Sequence, residues 1–164
     1  MKTLLTQFAS YNLWANGLLV ACIRALPPAL HTQPVSSSFP HLSALMLHLW
    51  DAESIWWQRV KLQETVLVPS ATQPANMEII SNGLLEQSRQ WANWVQRAQP
   101  HMLEHEFIYR NSKKEAFKQP VAQVLLQVFN HSTYHRGQVV SMLRQLEVTS
   151  IPQTDFIVWS RSQS

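Results

Sequence analysis

Four stretches of this 164-residue chain repeat their apolar residues every three to four positions, and that period does most to restrict what the chain can fold into. From about Lys2 to Leu26, residues Leu4, Phe8, Tyr11, Ala15, Leu18 and Cys22 share one face of a helix, which Pro27 and Pro28 end. A second helix is expected after Ser36-Ser37-Ser38, with Ser38 as its cap and Pro40 in its first turn, running to about Lys61. Its inner seam reads Leu45, His48, Ala52, Ile55 and Arg59. A further row, Leu47, Trp50, Ser54 and Trp57, implies cover on more than one side. Asn76 caps a third helix from about Met77 to Ala98, with Ile80, Leu84, Ser88, Trp91 and Val95 facing inward. Gly83 costs that helix roughly 1 kcal/mol relative to Ala. Pro120 opens a fourth, to about Leu146, whose stripe is Val124, Val128, His131, His135, Val139, Met142 and Leu146.

The connecting segments differ in character. Val66 to Ala75, with Pro69 and Pro74, reads as a loop. Glu106 to Tyr109 and Ala116-Phe117, on either side of Asn111 to Lys114, read as a small hairpin or a bent loop. Phe156, Ile157 and Trp159 near the C-terminus are expected to fold back onto the helices. Only three glycines and few alternating β-branched runs favour helices over sheets, and 46% hydrophobic content over this length suits one core. The expected fold is all-α: a single domain over residues 1–164, a four-helix bundle with a short hairpin-like segment before the last long helix.

Charge narrows the possible partners. A net charge of +3 is spread over thirteen Lys and Arg, with Lys113, Lys114 and Lys118 the densest group, too thin a cluster for specific nucleic-acid binding. Residues 1–50 carry only Lys2 and Arg24 as charged side chains, so a partner surface is expected there. Cys22 is the single cysteine, which excludes an internal disulfide, and the apolar run Leu18 to Ile23 is too short to span a bilayer. A cytoplasmic protein without membrane attachment is expected.

The histidines carry the chemistry. His131 and His135 stand four residues apart, so both imidazoles leave the same side of the helix, on its apolar stripe. Two adjacent buried imidazoles each have a polar nitrogen to satisfy, and one shared ion satisfies both. His48 lies midway along the seam of its own helix and can meet them at the same level. Three neutral imidazoles suit Zn, Ni or Fe(II) and leave coordination positions open, as in a catalytic site. His31, His41, His101 and His105 fall in loops or at a helix start and read as surface residues. Asp51 and Glu53 are placed outside the ligand set, as solvated or supporting groups. Tyr11 and Trp14 read as packing residues and Cys22 as a small core residue, while Arg136 or Tyr134 would orient an anionic substrate if either faces the site.

Several of these segments resemble the DinB family, within the YfiT-like metal-binding superfamily. They are Tyr11-Asn12-Leu13-Trp14-Ala15-Asn16, then His48-Leu49-Trp50-Asp51-Ala52-Glu53, then Asn130 to Val139 (NHSTYHRGQV), and Thr154-Asp155-Phe156-Ile157 near the end. The NHxxxHRGQ-like segment is the specific one. The resemblance implies a four-helix bundle with a pocket at one end, a divalent metal ion (Zn, Ni, Fe or Mn) held by His48, His131 and His135, and a homodimer. It also implies thiol chemistry, since members of the superfamily resemble thiol-dependent S-transferases and isomerases. Two functions follow. One is a metal-dependent thiol transferase or hydrolase acting on a small-molecule thiol or electrophile. The other is a non-catalytic metal-binding stress-response protein that works as a homodimer. DNA binding, suggested only by the basic pI and the family's name, has no residue pattern behind it.

Overall fold

Helix α4, Met77–Arg97, shows most directly how the sequence builds this fold. Asn76 caps it by accepting from the backbone N–H groups of Glu78 and Ile79, and Ile80, Leu84, Ser88, Trp91 and Val95 are all fully buried along one face. The structure is a computed structural model that describes residues 1–111 and 113–163. In chain order it comprises α1 (Lys2–Arg24), a 3-10 turn (Pro28–His31), α2 (Leu42–Val60), α3 (Pro69–Thr72), α4, α5 (Pro100–Glu104), β1 (Glu106–Arg110), β2 (Ala116–Pro120), α6 (Val121–Gln145) and α7 (Phe156–Arg161).

The four long helices form the bundle. Helix α1 packs against α4 and α6, and α2 packs against the same two, so α1 and α2 face each other across the bundle axis. Leu19, Val20 and Ile23 of α1 share one apolar cluster with Leu42 to Leu49 of α2, Met77 to Leu84 of α4 and Val139 to Leu146 of α6. Leu5 and Ala9 share the other with Trp91 and Val95 of α4 and Val121 to Phe129 of α6, flanked by Trp56, Trp57 and Val60 of α2. Hence α1 and α6 run one way and α2 and α4 the other. The β1–β2 hairpin is antiparallel, from Glu106 opposite Pro120 to Arg110 opposite Ala116, and closes the second end through buried Phe107. Ser112, within its expected turn, lies outside the described residues.

Between the two apolar clusters lies a polar layer. The Glu53 carboxylate of α2 is completely buried. Its Oε1 accepts from Asn12 Nδ2 (2.8 Å) and Asn16 Nδ2 (3.0 Å) of α1 and from Ser132 Oγ (3.3 Å) of α6, and its Oε2 accepts from Ser88 Oγ of α4 (2.8 Å). The same two asparagines turn their carbonyl oxygens to Arg136 of α6, whose Nη1 donates to Asn12 Oδ1 (2.6 Å) and Asn16 Oδ1 (3.1 Å). Two carboxamides thus stand between a buried anion and a buried cation, each presenting its donor to one and its acceptor to the other. Burial pushes the Glu53 carboxyl above its ordinary range, against the pull of its donors and of Arg136.

This layer corrects the expected face of α1, of which only Tyr11 and Ala15 are buried. Asn12, Asn16, Leu5, Leu19 and Ile23 point inward, whereas Leu4 is 57% exposed and Phe8, Leu18 and Cys22 are only half-buried. An apolar count puts asparagines outside; here their amides are the groups that the buried ions require. Three smaller corrections follow. Helix α2 begins at Leu42, capped by His41 Nδ1 accepting from Ala44 N–H, and leaves Ser38 and Pro40 in the preceding loop. The segment Val66 to Ala75 contains the single helical turn α3. Of the C-terminal aromatics only Trp159 is buried, against Tyr11, while Ile157 is 55% exposed. Gly83 sits within unbroken helix, where a Cβ would overlap the Trp50 indole, so the glycine makes room for that ring.

Removing the hub leaves Arg136 buried without a counter-charge. Glu53→Ala is expected to lower unfolding stability by about 3–5 kcal/mol, read from the denaturant midpoint. Glu86→Ala, which breaks the exposed pair with Arg89, should change it by less than about 1 kcal/mol. Equal, small effects would remove the polar layer from any account of stability.

Candidate metal centre

Helices α2 and α6 run antiparallel, which sets His48 opposite the pair on α6 at the level of the polar layer. Pro120 holds φ near −69° just before α6 and needs no N–H partner there, and the helix then continues unbroken for 25 residues. His131 and His135 leave it one turn apart, toward α2. His48 Nε2 lies 3.2 Å from His135 Nε2, and His135 Nε2 lies 3.1 Å from His131 Nε2. The ligand atoms of all three fall within 4.8 Å of one another. Nitrogens bound to one tetrahedral ion at about 2.0–2.1 Å stand roughly 3.3–3.4 Å apart, close to both shorter spacings.

Tautomers make the convergence informative. His135 Nδ1–H donates to Gln138 Oε1 at 2.7 Å, so in the neutral ring the Nε2 lone pair points into the cluster. Burial, together with the neighbouring His135 and His48, lowers the His131 pKa to about 4. Burial also lowers those of His48, with His135 adding to the effect and Asp51 opposing it, and of His135, where the Gln138 bond opposes it. All three rings are therefore neutral near pH 7, the form that ligates metal. Each neutral ring has one unprotonated nitrogen to offer, and the three Nε2 atoms stand at ligand spacing, so this donor set fits a divalent ion. Such a site has three protein donors, none of them a carboxylate.

The remaining candidates separate cleanly. Glu53 is no solvated group; it is the hub of the polar layer, with both oxygens engaged by Asn12, Asn16, Ser88 and Ser132. Asp51 Oδ1 accepts from the Ser70 N–H. Arg136 is buried on the α1 side, with its guanidinium 5.1 Å from the Tyr11 ring centre, and does not face the histidines. Tyr134 is 63% exposed and sets its ring 5.0 Å from that of His135. Tyr11 is a packing residue whose hydroxyl donates to Thr154 O, and Cys22 is half-buried with its thiol 3.6 Å from Ser150 O. His31 contacts the Ile23 carbonyl, His41 caps α2, and His101 within α5 and His105 at its C-terminal end are exposed.

Three residues of the site were missed from the sequence. Phe39, from the loop before α2, lies 4.9 Å from His48 and 5.7 Å from His135 between ring centres. Ser38 accepts from Gln138 Nε2 at 3.0 Å. Gln138 itself stands one turn after His135, a spacing at which a polar residue can reach the far ring nitrogen. That signal was available; nothing local marked the two loop residues.

A bundle with this connectivity, and a histidine cluster shared between its second and last long helices, defines a class of helical proteins with a metal-competent centre. The chain belongs to the DinB family, whose model matches residues 1–163. It is 28% identical over 154 residues to Protein DinB of Bacillus subtilis (strain 168), covering 89% of this chain and 87% of that one. Its fold is similar to the crystal structure of a DinB-like protein, YjoA, from Bacillus subtilis, with a TM-score of 0.66 at 12% identity over 91% of this chain and 98% of that one.

Elemental analysis of protein purified without chelator is expected to find about one divalent ion per chain. Returning Zn, Ni or Mn to stripped protein should raise its melting temperature, with a stabilisation of about 2.7 kcal/mol at a hundred times the Kd. His48→Ala, His131→Ala and His135→Ala should each lose the response. Metal-free protein whose melting is indifferent to added ions would refute the assignment.

Proposed function

We propose that this protein binds one divalent ion through His48, His131 and His135 and uses it as a thiol S-transferase acting on small electrophiles. The observation that carries the reading is the neutrality of the donor set: three uncharged imidazoles, with the nearby carboxylates engaged elsewhere. A divalent ion held by these neutral imidazoles would keep its full charge and would supply Lewis acidity that lowers the pKa of a thiol. The reaction then joins the thiol sulfur to the electrophilic carbon and releases the leaving group with the thiol proton as an acid.

The chain's own groups have limited tasks in this scheme. The imidazoles hold the ion, and His135 is itself held by Gln138. Phe39 and the exposed Tyr134 ring border the cluster and offer apolar surface to an electrophile. Arg136 is spent on Asn12, Asn16 and Thr133 and takes no part in holding an anionic substrate. Among the described residues no helix is long and apolar enough to cross a membrane, and the lone cysteine accords with a reducing cytoplasm.

A second reading, a non-catalytic metal-binding stress-response protein acting as a homodimer, is favoured by one observation. Between Val121 and Leu143 the only Asp, Glu, Lys or Arg side chain is Arg136, which is buried, so the outer side of α6 is uncharged, with Leu126 40% and Tyr134 63% exposed. Metal-loaded protein offered a panel of low-molecular-weight thiols with monochlorobimane distinguishes the two. Turnover is expected with at least one thiol and should fall to the metal-free level in His131→Ala. Stoichiometric metal without turnover of any thiol would favour the second reading.

A further inference from the structure

We propose that Gln138, oriented by Ser38, is a positioning residue that fixes His135 as its Nδ1–H tautomer and so presents the Nε2 lone pair to the cluster. The inference rests on reading that cluster as a metal centre, and it concerns what makes the centre competent before any ion arrives. Among the described residues His135 is the only one of the three whose far ring nitrogen has a hydrogen-bond partner, Gln138 Oε1 at 2.7 Å. The same carboxamide gives its Nε2 to Ser38 Oγ (3.0 Å), with the Tyr134 hydroxyl at 3.4 Å. Both hydroxyls lie on one side of the amide and accept from its NH2 group, and in this arrangement its carbonyl faces His135.

The opposite orientation shows what is at stake. With the amide reversed, its N–H would face Nδ1, and the neutral ring would have to carry its proton on Nε2. That proton would point at His48 Nε2 and His131 Nε2, 3.2 and 3.1 Å away. An ion would have to displace it, and affinity would fall by the cost of the wrong tautomer. One amide rotation therefore separates a ligand from a blocked ring. Ser38 belongs to the loop between α1 and α2, which is also tied to α6 by Ser36, whose N–H donates to Gln145 Oε1 (2.9 Å) and whose carbonyl accepts from Gln145 Nε2 (3.2 Å). The loop thereby reaches His135 through a chain of two hydrogen bonds. Glutamine in place of a carboxylate also matters: it orients the ring without adding negative charge beside the ion.

The test uses chelator-stripped full-length protein and long-range 1H–15N spectra of its imidazoles, with His135 assigned by its loss in His135→Gln. Wild type is expected to show His135 as the Nδ1–H tautomer. Gln138→Leu should populate the Nε2–H form and weaken zinc binding roughly 10–100-fold by chelator competition. Gln138→Glu, which can only accept, should retain the Nδ1–H tautomer and wild-type affinity or better. Ser38→Ala, which removes no group that touches a histidine, should shift the tautomer ratio in the same direction. Gln138→Leu with an unchanged tautomer and zinc affinity within twofold would overturn the proposal, and an unchanged ratio in Ser38→Ala would remove the loop from it. The tautomer readout needs no metal. If wild type binds no ion yet Gln138→Leu shifts the tautomer, the positioning stands and the metal reading fails.

Discussion

Glu53 is the group on which the rest of the arrangement depends. A carboxylate at the axis of a helical bundle costs several kcal/mol in lost hydration unless its lone pairs are filled, and here they are filled from all three neighbouring helices: Asn12 and Asn16 of α1, Ser88 of α4 and Ser132 of α6. Each donor is short, so the helices must stand at particular heights for the contacts to be made. Apolar stripes alone tolerate sliding by a turn; this layer does not. Fixing the height of α2 against α6 is also what brings His48 level with His131 and His135. The Trp91 indole, donating to the Glu53 carbonyl at 3.2 Å, ties α4 to the same point.

The order of residues along α6 expresses this coupling. His131 and His135 are each followed directly by a member of the polar layer, Ser132 and Arg136. A step of 100° turns consecutive side chains from the α2 side toward the axis and α1. One helix thus presents two polar faces, one to the histidine cluster and one to the ion network. The Arg136 charge, balanced through the two asparagines, is kept away from the histidines, where a neighbouring cation would work against binding of a second one.

Legibility from sequence followed the clarity of the faces. Helix α4 was readable in full because its apolar and polar sides separate, and all five of its expected inward residues are buried. The hairpin was readable from its extended, aromatic arms, and the histidine pair from its four-residue spacing. Helix α1 was readable in extent but only partly in rotation, because the rule that asparagine faces water fails where a buried ion pair needs amides. The buried role of Glu53 escaped for the same reason: a carboxylate five residues from a candidate ligand reads as solvated or supporting until the donors around it are known, and those come from positions 35 to 79 residues away. The α2 cap was misplaced because a histidine ring, not a serine hydroxyl, accepts the N-terminal amide. Ser38 and Phe39 belong to a loop whose path is set by tertiary contacts alone, and no local pattern marks them.

The antiparallel pairing of α2 with α6 gives the histidine cluster a topological weight. His48 and His131 are 83 positions apart, and the chain between them contains α3, α4, α5 and the hairpin. An ion shared by the two residues would close that half of the molecule into a ring. In the chain-entropy description of a cross-link, a ring of this length removes about 4–5 kcal/mol of freedom from the unfolded state. That is comparable with the whole stability of a small domain. Loss of the ion would therefore be felt far from the imidazoles, as looser closure of every element threaded between them.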